Sequence, residues 1–95
     1  MSFAIDVNIL LYASDSTSAH HSRAVGFLGS CVAAREVYCL GWPTIMSYLR
    51  IVTHPAIFAH PLSMAEAMHN VEALIRPPQA RVSRKKKASG RFIAM

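Results

Sequence analysis

Asp6 closes the short apolar run Phe3-Ala4-Ile5, and an amide, Asn8, follows two places on before Ile9-Leu10-Leu11-Tyr12. A carboxylate in that position has two uses. It can cap the helix that the following residues wind, accepting from the free backbone N–H groups of the first turn. It can also hold a cation or serve as a catalytic group, because ligands of open α/β sheets bind outside the carboxyl ends of the strands. If the strand is buried, the charge must be compensated by hydrogen bonds, a cation or a metal. Asn8 has the same two readings, as a turn or helix-start residue or as a group that orients Asp6. Spacing alone leaves both pairs of readings open.

The elements that would position these residues read off the apolar spacing. Ser2 to Asp6 is expected as a short strand at the centre of the sheet and Val7 to Ala13 as a helix of about two turns. Ser14-Asp15-Ser16-Thr17-Ser18 is a polar break in which Asp15 is assigned to capping. Ala24, Phe27, Leu28, Cys31 and Val32 then recur at helical spacing, so Ala19 to Ala34 is expected to be helical. Gly26 and Gly29 inside it imply either close packing on a neighbour or a weak helix, at roughly 1 kcal/mol each relative to Ala. His20 and His21 fall in its first turn, facing solvent. Val37 to Leu40 reads as a second strand beside the first, parallel to it because a helical crossover separates the two. Pro43 fits the first turn of a third helix, with Ile45, Tyr48, Leu49 and Val52 buried, and Pro55 stops it near His54. Ser63-Met64-Ala65-Glu66 has the form of a capping box ahead of a fourth helix that ends before Pro77-Pro78. Ala80-Arg81-Val82 begins a third strand.

Composition narrows the classes. Ninety-five residues at 53% hydrophobic make one small domain, richer in apolar side chains than such a domain needs, so a further layer or another chain is expected to cover part of them. No apolar run reaches the roughly 18–20 residues of a membrane span, and Asp6 interrupts the first apolar run where a secretory leader would need it unbroken, so the chain is expected in the cytoplasm and off the membrane. Cys31 and Cys39 lack metal-type spacing and are expected as free thiols. Up to Ser83 five acids balance five arginines; the net +5 comes from Arg84, Lys85, Lys86, Lys87 and Arg91. Residues 83–95 are therefore expected as a basic, disordered tail after a folded part spanning 1–82, with a nucleic-acid contact as the other reading.

Ile5-Asp6-Val7-Asn8-Ile9-Leu10-Leu11-Tyr12-Ala13, Trp42-Pro43, and the block Leu49-Arg50-Ile51-Val52-Thr53-His54-Pro55-Ala56-Ile57-Phe58 together resemble the PIN-domain ribonucleases. In particular they are similar to the VapC-type toxins of bacterial toxin–antitoxin systems, one branch of which carries an LRxxTHPxxF pattern. The resemblance covers roughly Phe3 to Val82. It implies an α/β fold with a parallel sheet flanked by helices, and acids at its carboxyl edge that hold magnesium or manganese. Such a metal activates water for phosphodiester cleavage in RNA, work that suits hard cations on oxygen ligands. Asp6 matches the first acid of the family, as catalytic residue and metal ligand, and Asn8 the supporting position beside it. RNA substrate, a cognate antitoxin and a homodimer are the partners implied.

Two departures matter. Where many relatives carry a glutamate, two residues ahead of Leu49, this chain has Ser47. Relatives also continue past the equivalent of Val82 through elements that bear further acids, whereas Glu72 is the last acid here. The expectation is a truncated PIN domain, its last residues of the kind a shifted reading frame produces. Its alternative function is that of a catalytically inactive remnant that binds an antitoxin.

Overall fold

A computed structural model describes residues 3–84. Three parallel strands, β1 (Phe3–Ala4), β2 (Tyr38–Gly41) and β3 (Ala80–Ser83), form one sheet in the order β1-β2-β3. Helices α1 (Val7–Ala13) and α2 (His21–Ala33) connect the first pair, and α3 (Trp42–Val52) and α4 (Met64–Ile75) the second. Each connection is long enough for a helical crossover, as parallel pairing requires. The expected α/β class and the parallel relation of the first two strands are as found.

The expected central position of the first strand is not. Among the described residues β1 pairs with β2 alone, and β2 takes the middle. The side chains give the reason: Tyr38, Cys39 and Leu40 are all buried, as a strand flanked on both edges must be, while Ala4 is exposed. The first strand also ends at Ala4 rather than Asp6, although Ile5 N–H still donates to Cys39 O at 3.0 Å, and Ser2 lies outside the described residues.

Alternate positions decide where the core lies. Phe3, Ile5, Tyr38, Leu40 and Ala80 belong to the main apolar cluster with Leu10, Ile45, Tyr48, Val52, Ala67, Val71 and Leu74 of the helices. Leu10, Cys31, Ile45 and Ala67, one from each helix, join this cluster, so all four helices pack on that face. The opposite face presents Ala4, Cys39 and Arg81, the first and last of them exposed.

Local signals set the helix ends. The capping box is present in full: Ser63 Oγ accepts from Glu66 N–H at 3.0 Å and Glu66 Oε1 from Ser63 N–H at 2.9 Å. Helix α3 starts on Gly41 with proline in its first turn and stops at Val52, two residues short of His54. Helix α2 starts at His21, two residues later than its apolar spacing predicts, and its N-cap is His20, without a side-chain bond. Asp15 does not cap it. Its Oδ1 accepts from Thr17 N–H at 3.0 Å and Thr17 Oγ1 at 2.6 Å, closing a local turn. Those two bonds hold its carboxyl below the usual range, the side chain first and the backbone second.

The two glycines of α2 pack on nothing: a Cβ at Gly26 or Gly29 meets no atom within 4 Å. They weaken the helix rather than fit a neighbour. Gly29→Ala is therefore expected to stabilise the chain by about 0.5–1 kcal/mol, read as a higher urea midpoint at unchanged slope. A lower midpoint would mean that the open side of α2 is occupied.

Candidate functional site

Asp6 stands where the first strand gives way to the first helix. Its backbone is extended (φ −80°, ψ 147°), its carbonyl accepts from Ile9 N–H at 3.1 Å, and it takes the N-cap position of α1. Yet its side chain makes no capping bond. The carboxylate is exposed, which removes the expected burial cost, and no bond to it is found among the described residues. A carboxylate on the N-cap, bonded to none of the described residues, stands at the carboxyl end of a parallel strand where it can meet a ligand.

Asn8 is exposed one residue into α1, and no bond joins it to Asp6. At 100° per helical residue the two side chains leave the turn in different directions. Ser47 is half-buried on α3 and Arg50 is exposed one turn further from the sheet edge. His20 is exposed and stacks near Tyr12, with ring centroids 4.7 Å apart; His21 Nδ1 lies 3.1 Å from Tyr12 O. Both thiols are free and buried, and burial pushes each of them above the ordinary range, so neither serves as a nucleophile.

The register shows what shares the edge with Asp6. Ala4 lies opposite Cys39, and Gly41 opposite Ser83. Continued through the extended Ile5 and Asp6, the same pairing puts Asp6 level with Gly41 and Ser83. Trp42 and Arg84 come next on the other two strands, both exposed.

A divalent ion finds little here. Magnesium favours near-octahedral oxygen ligation and sheds water reluctantly. Among the described residues no group of three or more His, Cys, Asp and Glu is placed to hold a metal. Asp6 with an amide and a distant hydroxyl does not by itself fit such an ion.

A concavity lies between the helices. Leu10, Val25, Leu28, Val71 and Leu74 line a largely apolar cavity of about 240 Å³. Three polar groups close one side: Ser14 Oγ is 2.6 Å from Tyr48 Oη, and Asn70 Nδ2 donates to the same oxygen at 3.0 Å. Sequence reasoning took Tyr48 only as part of a buried stripe. Its partners lie 34 and 22 residues away, so no local pattern announces them. Gln79 was missed for the same reason; its Nε2 donates to the carbonyls of Cys31, Val32 and Ala34 at the end of α2.

No protein-family model matches the chain. Ribonuclease VapC48 of Mycobacterium tuberculosis is 33% identical over 81 residues, 85% of this chain and 56% of that protein. Ribonuclease VapC37 of the same organism is 28% identical over 76 residues, 80% of this chain and 53% of its own length. VapC ribonuclease Mb2897 of Mycobacterium bovis is 30% identical over 76 residues, 80% and 52% respectively. The chain thus spans about half the length of the curated relatives it matches. No helix of the described residues is long and apolar enough to cross a membrane.

Proposed function

We propose that the chain is the Asp6-bearing part of a toxin-type endoribonuclease, a reading supported by its likeness to VapC ribonucleases over about half of their length. It binds RNA along the carboxyl edge of its sheet, in the cytoplasm. Asp6 supplies one carboxylate to a cutting site that needs more of them than the described residues hold. The observation that carries this reading is the exposed, unengaged carboxylate at the end of β1. Magnesium or manganese, when bound, would supply an activated water and charge neutralisation at phosphorus. Asp6 is the residue of this chain that would hold it, and the rest of the cage must come from outside the described residues.

The antitoxin-binding reading rests on a different observation, the apolar cavity between the helices. It treats the chain as a module that meets only proteins. One experiment separates the two. Incubate the purified chain with labelled RNA, with magnesium and with chelator, and measure binding and cleavage together. RNA should be bound in both conditions and remain intact in both, and Asp6→Ala should change the affinity by no more than a few-fold. Absence of RNA binding would leave the protein-binding module as the better account. Chelator-sensitive cleavage abolished by Asp6→Ala would show that the chain completes the site itself.

A further inference from the structure

Asp6 has two flanks in the sheet. Toward β2 the register sets it level with Gly41, which has no side chain, and one strand further with Ser83, which carries no charge. A second carboxylate at strand spacing, about 4.8 Å, therefore has to lie on the outer edge of β1. That edge is unpaired among the described residues. Ile5 N–H donates inward to Cys39 O, so the alternation of an extended strand turns the N–H of Ala4 outward. Ala4 is exposed, and with Cys39 and Arg81 it looks onto the face that no described helix covers.

These features restrict what can dock there. A strand edge is met by polypeptide through main-chain bonds, which a nucleic acid cannot supply in register. A second copy of this chain does not bring the carboxylate. Two identical edges related by a two-fold axis bond antiparallel, which carries their Asp6 residues to opposite ends of the pair. Arg81 on the open face favours an acidic occupant. A little under half of VapC48 lies outside the 81 residues it shares with this chain, so a relative holds further polypeptide that could take this place.

We propose that the outer edge of β1 and the uncovered face dock a further polypeptide segment that sets a carboxylate level with Asp6, and that docking completes a divalent-cation site there. Carboxylates on neighbouring strand ends reach one ion between them at the roughly 2.1 Å that magnesium sets for its oxygens. The proposal rests on the reading above that Asp6 lacks the rest of its cage, and names where the rest attaches.

The part of VapC48 outside the match is co-expressed with the full chain, and manganese serves as the ion. Sedimentation should show a one-to-one complex, and exchange of the Ala4 amide should slow about tenfold or more on its formation. Manganese, followed by its paramagnetic resonance, should bind the complex and not the chain alone. Asp6→Asn should leave the complex intact and lower the manganese affinity about tenfold or more, because carboxylate oxygens select such ions. Proline is tolerated on an edge strand whose N–H faces solvent, so Ala4→Pro should keep its circular dichroism and abolish the complex. No complex, or one that leaves the Ala4 amide unprotected and survives Ala4→Pro, would overturn the docking surface. An edge-docked complex whose manganese binding ignores Asp6→Asn would overturn the completed site. Protection of Ala4 that rises with the concentration of the chain alone, and that the segment does not displace, would assign the edge to an interface between copies and defeat the proposal. RNA binding by the chain without any complex would defeat it and leave the RNA reading standing, whereas an Asp6-dependent manganese complex that binds no RNA would do the reverse.

Discussion

Tyr48→Ala is expected to remove a large share of the stability of the chain. The ring is 2% exposed, and its hydroxyl joins Ser14 at the end of α1 to Asn70 of α4. Truncating a buried aromatic typically costs about 3–5 kcal/mol. Each hydrogen bond adds roughly 1 kcal/mol. Tyr48 also walls the cavity between the helices, so truncation widens an existing hollow rather than sealing a new one. That places the expected loss near about 3–4 kcal/mol, against the roughly 5–15 kcal/mol by which domains persist. Tyr48→Phe keeps the packing and should lose only about 1 kcal/mol, because Asn70 is exposed and water can replace the lost acceptor. Urea unfolding followed by circular dichroism separates the two variants. Equal midpoints for both would show that the hydroxyl matters and the ring does not.

The second large effect concerns the face of the sheet that no described helix covers. Purely parallel sheets occur almost only with both faces buried. Here Ala4, Cys39 and Arg81 face away from the main apolar cluster, and among the described residues the outer edge of β1 is unpaired. Such an edge invites pairing with another chain. The formal charge of +5 opposes association, but salt near 0.15 M screens charges more than about 8 Å apart. Association is therefore expected to prevail in purified protein without a partner. Ala4→Lys puts a charge on both the open edge and the open face. It should raise the concentration of half-association about tenfold, equivalent to about 1.4 kcal/mol, with no loss of helical signal. Sedimentation velocity over a range of concentrations reads this. Identical profiles for wild type and variant, low and high salt alike, would place the association surface elsewhere.

The elements of this chain were legible because their causes are local. A capping box needs residues three apart, a proline acts on its own turn, and an apolar stripe declares itself within a dozen positions, so α4, α3 and the strand–helix junction at Asp6 could be read directly. The order of the strands could not, because it depends on which apolar run acquires neighbours on both edges. Tyr38 to Leu40 did, and the run before Asp6 did not. The state of Asp6 followed from that: at the end of an edge strand its carboxylate reaches water, so the burial cost that seemed to demand a partner never arises. Asp15 turned inward to Thr17, a competition between two nearby sets of donors that spacing cannot decide. The partners of Tyr48 and of Gln79 belong wholly to the tertiary structure. Each joins residues tens of positions apart, and only parallel pairing and helix packing bring such residues to one place.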